Sequence, residues 1–171
     1  MEQVVAIPNS LYRSVKGRYF AGQTEMLTFG NGVNAWAGLT NGRNSNIDGF
    51  VNTFTFTNFS DLAFTAQIWL RASSPYKAMT SPLYAPTNSA IIPAPIPRIK
   101  IKYLAAPNLM LNDGINVYQR IIPPKATVVV EDDGKSIIGP CEAFSLLLIG
   151  SSSTYIDAVV AFGWFEEPIK Y

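Results

Sequence analysis

The sequence predicts an all-β protein, an antiparallel β-sandwich of jelly-roll type. Short segments rich in β-branched and aromatic residues follow one another along the chain, Gly, Pro, Asn or Asp separates most of them, and long helical periods are missing. A chain of 171 residues is long enough for one well-packed domain. We therefore expect an N-terminal arm over residues 1–16 and a single sandwich domain over residues 17–171.

The strand assignments follow from alternation and from turn residues. In residues 98–104, apolar and basic side chains alternate, which predicts a strand with one buried and one solvent-facing side. The predicted strands, in chain order, are residues 3–7, 17–21, 25–29, 35–40, 50–58, 63–72, 98–104, 115–122, 127–132, 142–149 and 156–166.

Several short motifs predict the connections between strands. Residues 51–70, VNTFTFTNFSDLAFTAQIWL, alternate Phe with Thr on both sides of Asn-Phe-Ser-Asp, which predicts a β-hairpin. Dipeptides of Asn or Asp with Gly favour tight turns because both residues accept positive φ. We expect such turns at Asn31-Gly32, Asn41-Gly42 and Asp133-Gly134.

Two segments do not fit the strand pattern. Residues 9–16, NSLYRSVK, predict a helix of at most two turns, with Asn9 or Ser10 as possible N-cap and Gly17 as the stop. Residues 73–98 carry many prolines, which cannot donate to a ladder, together with many apolar side chains. We expect a long crossover packed over one end of the sandwich; the alternative is an extended arm that docks on a neighbouring subunit.

The period-two register also predicts the core. The residues expected to face inward are Phe54, Phe56, Phe64, Ile68, Ile99, Ile101, Val128, Val130, Phe144, Leu146, Leu148, Val160 and Phe162.

Composition narrows the possible partners. Charged residues make up 15% of the chain and the formal net charge is +1, so there is no basic footprint for nucleic acid. No apolar run is long enough to span a membrane, and the first residues lack the pattern of a secretion signal. We expect a protein that is made in the cytoplasm, binds no nucleic acid and does not insert into membranes.

The sequence offers little catalytic chemistry. It contains no histidine and one cysteine, Cys141, which disfavours the common triads and zinc sites. Adjacent strand residues such as Glu166 and Glu167 point to opposite faces, so we expect a solvated strand end and not a glycosidase pair. The acidic run 131–134 lacks the spacing of a calcium loop. We therefore expect no enzyme activity, no catalytic residue, no cofactor and no metal.

Four motifs carry a resemblance that extends over nearly the whole chain. They are VVAIPNSLYRSVKGRYFAGQTE, FGNGVNAWAGL, FTFTNFSDLAFTAQIWL and AVVAFGWFEEPI. The chain resembles an uncharacterised family of small proteins from spore-forming Firmicutes that end in a similar A-F-G-W-[WF]-E-E signature. More remotely, its layout is similar in style to subunits of endospore appendages. That resemblance implies a jelly-roll pilin that polymerises by inserting an N-terminal connector into a neighbour, although this arm has no cysteine for cross-linking.

The leading hypothesis is a self-assembling structural subunit of an extracellular or spore-surface fibre or layer. Its partner is another copy of itself, and it reaches a spore or cell surface, or the exterior after lysis. The residues expected at subunit contacts are Val4, Val5, Ile7, Tyr12, Cys141 and Trp164. Cys141 is expected to be either buried or part of an intermolecular disulfide, and the arm to pair either with a neighbour or within its own subunit.

Two other functions remain open from the sequence. Trp36, Trp69, Trp164 and the tyrosines could form a sugar-stacking platform in a carbohydrate- or peptide-binding module, although tryptophan more often packs in the core of a β-sandwich. A phage or capsid-like jelly-roll protein shares the same predicted architecture.

Overall fold

The computed structural model describes residues 2–151 and 153–170 and consists of two antiparallel sheets packed face to face. It is 53% strand and 4% helix, so the predicted all-β sandwich is confirmed. The elements are α1 (Asn9–Val15), β1 (Tyr19–Gln23), β2 (Leu27–Phe29), β3 (Val33–Thr40), β4 (Ile47–Asn58), β5 (Phe64–Leu70), β6 (Met79–Thr80), β7 (Tyr84–Pro86), β8 (Lys100–Pro107), β9 (Ile115–Ile122), β10 (Thr127–Ile138), β11 (Ala143–Ile149) and β12 (Ile156–Pro168).

The strand order is that of a jelly roll. The first sheet has the order β10-β4-β12-β1-β7, with β2 also paired to β12, and the second has the order β6-β8-β3-β11-β5-β9. Leaving out the short β2, β6 and β7 and the inserted β8, the chain changes sheet at every step except from β5 to β9, which is the pattern of two interlocked Greek keys. The long strands of the two sheets therefore enclose one shared core.

Most predicted strands are present with small shifts at their ends, and one is wrong. Residues 2–8 lie in no helix or strand, so the predicted strand 3–7 does not form within this subunit. The sequence reading also missed β6 and β7, which lie inside the proline-rich segment. These two strands are only two and three residues long, too short to show alternation.

The predicted hairpin over residues 51–70 is also wrong. β4 belongs to the first sheet and β5 to the second, so the chain crosses the sandwich between them. Asn58 shapes this crossing: its amide donates to the carbonyl oxygen of Leu62 at 2.8 Å, and its side-chain oxygen accepts the N–H of Ser60 at 2.9 Å. Alternation shows that both strands bury one face, but it does not show that the two faces oppose each other across a core.

The three predicted turns have different outcomes. Asn31-Gly32 is a tight turn with positive φ at both residues, closed by paired backbone hydrogen bonds between Gly30 and Val33. Asn41, by contrast, is buried, and its amide ties β4 and β10 together through the carbonyl oxygens of Ile47 and Ile138. Asp133-Gly134 has positive φ but lies in a bulge within β10, between Glu131 and Ser136, and not at a strand end.

The predicted core is largely confirmed. All of the predicted inward residues are buried except Val128 and Val130, which are half-buried and pack against the core. Aromatic edge-to-face contacts join Phe54 to Phe56 and to Phe144 across the sandwich.

One lateral side of the sandwich is covered by the proline-rich segment, as predicted for a crossover. Within residues 73–98, β6 pairs with β8 of the second sheet and β7 pairs with β1 of the first. Ser81, between them, donates its N–H to Ile101 and its hydroxyl to the carbonyl oxygen of Gln23. We call this the closed side, and the opposite side, bordered by β9 and β10, the open side.

Candidate assembly interface

The arm exposes its apolar side chains. Val4 and Val5 are 91% and 71% exposed, and Ile7 is also exposed. An apolar stretch with free backbone donors and acceptors is an unfavourable surface in water and favours pairing with another strand. The arm therefore has the chemistry that the sequence hypothesis requires of a subunit contact.

Helix α1 is held on the outer face of its own sandwich. Arg13 and Arg18 both form ion pairs with Glu167 of β12, and the Ser14 and Thr87 hydroxyls are 2.8 Å apart. The helix ends in a Schellman motif, with Gly17 at φ 71° and the N–H of Arg18 bonded to the carbonyl of Arg13. The predicted stop at Gly17 is confirmed, but the predicted N-cap is wrong, because the helix begins at Asn9 and Pro8 occupies the N-cap position. The candidate arm narrows from residues 1–16 to residues 2–8.

Tyr12 lies on the exposed surface of α1. Its ring is contacted by two cations of the same helix, Arg13 at 5.4 Å and Lys16 at 5.7 Å from the ring centroid. It is therefore accessible to a second subunit next to the base of the arm, and its role at a contact stays a prediction.

Cys141 is exposed, so the expectation of a buried thiol is wrong. It lies in the turn between β10 and β11, with φ 70°. An intermolecular bridge stays a prediction, because it requires the thiol of a second subunit close to the exposed Cys141 thiol.

Trp164 is a correction to the predicted contact set. Its side chain is 0% exposed and lies in the core, where its ring stacks on Phe20 at 5.8 Å between centroids. Its indole N–H donates to Glu166 at 3.3 Å. Alternation along β12 continues to the strand end, which places Trp164 and Glu166 on the inner face.

Glu166 and Glu167 do point to opposite faces, but the predicted solvated strand end is wrong. Glu166 is buried and accepts the N–H groups of Arg98 and Ile99 at 3.0 and 2.8 Å. Glu167 is held by Arg13 and Arg18 on the outer face. Each carboxylate is thus committed to a structural partner: Glu166 fixes the return of the proline-rich segment into β8, and Glu167 fixes α1.

Two of the three tryptophans of the predicted sugar-stacking platform are not available to a ligand. Trp36 and Trp164 are fully buried. Trp69 is half-buried on the outer face of β5, where its indole N–H donates to Gln67 at 3.0 Å. An isolated half-buried ring on a strand surface offers little area for stacking a sugar.

The acidic run 131–134 is explained by the bulge in β10. Asp132 accepts the N–H and the hydroxyl of Ser136, at 2.7 and 3.1 Å, and so closes the bulge. Across residues 2–151 and 153–170, no three Cys, Asp or Glu side chains come together as ligands for a metal ion. Over the same residues, no helix has the length and hydropathy to cross a membrane.

Three ionisable groups of the described residues have perturbed pKa values: burial raises the pKa of Tyr19, and the other two groups tie segments together. Tyr103 of β8 donates to Glu25 at 2.5 Å, and this hydrogen bond raises the pKa of Tyr103. Asp113 accepts the hydroxyl and the N–H of Ser73, which lowers the pKa of Asp113. The first contact links the two sheets at the closed side, and the second links the proline-rich segment to the loop before β9.

The sequence predicted the strand at residues 115–122, which forms β9, but not the exposure of that strand. β9, INVYQRII, has apolar side chains at both parities, and all of its residues except Asn116 and Ile122 are exposed. The signal was present as a failure of period-two alternation, which marks a strand that has no single buried face.

The comparisons with known proteins place the chain in one family. The model of a Family of unknown function (DUF6143) matches residues 1–171. No curated protein and no solved structure matches the chain.

Proposed function

The chain belongs to the DUF6143 family, and we propose that it is a structural, self-assembling subunit of an extracellular or spore-surface fibre or layer. Its partner is a second copy of the same chain, and the contact is made by strand addition and apolar packing. A strand added to a sheet edge supplies main-chain hydrogen bonds, and its alternate side chains supply specificity. A head-to-tail contact of this kind repeats without closing and so builds a polymer.

The observation that carries this proposal is the exposed arm. Val4, Val5 and Ile7 are exposed, while α1, the next element, is fixed to the sandwich by the ion pair between Arg13 and Glu167. Burial of these side chains would contribute about 1.5–3 kcal/mol each before the cost of ordering the arm. A free segment beside a fixed anchor is suited to reaching a neighbouring subunit.

The location rests on resemblance. The C-terminal AFGWFEE motif is similar to that of proteins from spore-forming Firmicutes, and the layout is similar in style to endospore-appendage pilins. We propose that the chain is made in the cytoplasm and ends on a spore or cell surface, or outside the cell after lysis. Cys141, being exposed, is available for an intermolecular bridge once such an assembly meets an oxidising exterior.

We propose no catalytic role. The carboxylates of β12 are used as structural anchors, and the exposed Cys141 has no histidine in the sequence to activate it. A second candidate, a phage or capsid-like protein, is favoured by the jelly-roll strand order, which such proteins share. The shape of the assembly distinguishes the two, because a capsid-like protein forms closed shells and a pilin-like protein forms open fibres or layers.

Negative-stain microscopy and light scattering of the purified full chain test this function. We expect polymers from the full chain, and we expect only monomers, with an unchanged thermal unfolding transition, after deletion of residues 2–8. A monodisperse monomer from the full chain at high concentration would contradict the proposal. Loss of the fold on deletion would contradict the role of the arm as an exchangeable strand.

A further inference from the structure

The open side of the sandwich leaves inner-face residues uncovered. Tyr118 of β9 is directly opposite Ile68 of β5, so both point toward the core. Ile68 is buried, yet Tyr118 is 59% exposed. A cleft of about 210 Å³ separates β9 from β10 at this point, lined by Phe54, Ile68 and Tyr118 among others.

This cleft continues along β10. A second cleft of about 390 Å³ shares Leu70, Lys135 and Ser136 with the first and extends toward Phe144. Together they form a trough between the edges of the two sheets. Apolar core residues form part of its floor, which is unfavourable in contact with water.

Among the sheet edges described, β9 is the one best suited to accept a strand. β6 and β7 are two and three residues long, and β7 ends in Pro86. β10 is long, but its bulge between Glu131 and Ser136 carries several charges, features that discourage strand addition. β9 is eight residues long, and Arg120 is its only charged residue.

We propose that the open side is the docking site for residues 2–8 of a second copy, which adds to β9 as an edge strand and covers the trough. This inference rests on the proposed self-assembly and specifies where the arm binds. Alternate residues of a strand face opposite sides, so Val5 and Ile7 cover the trough while Val4 and Ala6 face outward. The outward pair then lies on the side of Ile121, which is also exposed.

Distance favours a neighbour's arm over the subunit's own. Helix α1 contacts β1 and β12, and the path from there to β9 crosses β4 and β10 and then passes from one sheet to the other. That path is about 20 Å, from strand spacings of ~4.8 Å and a sheet separation of ~10 Å. Residues 2–8 span at most ~25 Å when fully extended, so almost none of the arm would be left to pair in cis.

Charges of both signs line the trough: Arg120 and Lys135 together with Glu131 and Asp132. The Arg120 guanidinium lies over the Tyr118 ring, 5.5 Å from its centroid. Glu2, the only charged residue of the arm, alternates with Val4 and Ala6 and would face outward. The placement therefore rests on apolar contacts and main-chain hydrogen bonds, not on an ion pair.

Cross-linking between separately purified variants tests the docking site. In a Cys141→Ser background, one protein carries Ala6→Cys and a His tag, and the other carries Gln119→Cys on the outer face of β9. The control partner carries Met79→Cys on β6, the opposite edge of the same sheet. The variants are mixed under assembly conditions and treated with a short bismaleimide, and thermal unfolding confirms that each retains the fold.

We expect a tagged heterodimer with Gln119→Cys and at least tenfold less product with Met79→Cys. Equal coupling to both edges, or more coupling to Met79→Cys, would overturn the docking site while leaving self-assembly intact. An intrachain product from the double variant Ala6→Cys/Gln119→Cys, in place of a dimer, would overturn exchange between subunits. Absence of any assembly by light scattering is a different result, because it removes the proposed function itself.

Discussion

The closed and open sides of the sandwich differ in whether the chain covers its own sheet edges. Both are places where two sheet edges meet and the core reaches the surface. On the closed side, residues 73–98 pair with β8 and then with β1, and Ser81 bonds to both sheets. On the open side, β9 and β10 are joined by residues 123–126 but have a trough between them.

The difference shows which sheet edges the chain covers with its own segments and which edge is left for a segment of a partner. A jelly roll can cover an edge with an insertion, with charges and bulges, or with a partner. The closed side uses an insertion, and β10 uses a charged bulge. β9 has neither, while the same chain carries an exposed apolar arm of similar length. We propose that the arm of one subunit covers the edge of β9 in the next subunit, as the proline-rich segment covers the edge of β8 within its own subunit.

Isoleucine substitutions on the two sides should give the largest contrast. Ile101 of β8 is buried at the closed side, and Ile121 of β9 is 76% exposed. Ile101→Ala should lower the free energy of unfolding by about 2–5 kcal/mol, because it creates a cavity. Ile121→Ala should change it by about 0.5 kcal/mol or less in the monomer. Urea unfolding of the arm-deleted protein measures both, and equal losses would show that the open side is packed as tightly as the closed side.

The close approach on the closed side can be tested with glycine. A Cβ on Gly22 would lie 2.5 Å from the carbonyl oxygen of Leu83 and 2.6 Å from Ile101, whereas a Cβ on Gly42 would meet nothing within 4 Å. Gly22→Ala should therefore destabilise the fold by about 1–3 kcal/mol by forcing the proline-rich segment away from β1. Gly42→Ala is the matched control and should leave the unfolding temperature unchanged. A neutral Gly22→Ala would mean that the segment is not tightly packed there.

Charge reversal at the open side should affect assembly and not stability. Arg120→Glu adds a third carboxylate to the cleft that Glu131 and Asp132 already line and that the docked arm would cover, so the concentration needed for assembly should rise at least about tenfold, or ~1.4 kcal/mol. The matched control is Arg43→Glu, in the exposed loop between β3 and β4. Light scattering across a concentration series measures both. Equal effects of the two reversals would point to net charge, not to a contact at β9.

A smaller, pH-dependent effect is expected where the two sides are connected. Asp113 has a lowered pKa because it accepts two hydrogen bonds from Ser73, so its contribution to stability is present above its unfolded pKa of about 3.9 and is lost as pH falls through the lower folded pKa. Asp113→Asn should be slightly less stable than the wild type near neutral pH, and the difference should vanish in acid. Thermal unfolding from about pH 6 to about pH 2 checks this. A difference that persists unchanged at the lowest pH would assign the effect to packing.

The sequence predicted the fold more completely than the interface, for physical reasons. Alternation in β4, β5, β8 and β11 reports burial of one face, so Phe56, Ile68 and Leu146 were placed correctly. It carries no information about which sheet a strand joins, and the crossing between β4 and β5 was therefore taken for a hairpin. Trp164 was expected at a subunit contact and Glu166 at a solvated strand end, whereas both are buried and the N–H groups of Arg98 and Ile99 bond to Glu166.

The interface depends on what is left uncovered, which composition reports only weakly. Val4 and Val5 looked like a strand because their propensity favours one, but no edge within reach of α1 accepts them. The sequence of β9 was assigned as an ordinary strand, although its apolar residues on both faces indicated an edge strand that another chain could cover. Both features belong to one prediction, that a strand and its acceptor lie on different copies.

Hydrogen–deuterium exchange at β9 shows whether a second strand covers this edge. Half of the N–H groups of an edge strand point away from its single partner and exchange freely unless another strand covers them. We expect the outward-pointing N–H groups of residues 115–122 to be protected in assemblies of the full chain and to exchange rapidly in the protein lacking residues 2–8. The N–H groups of β9 that bond to β5, and β8 on the closed side, should be equally protected in both. Rapid exchange of β9 in full-length assemblies would contradict the account, because the open side would then remain uncovered after subunits join.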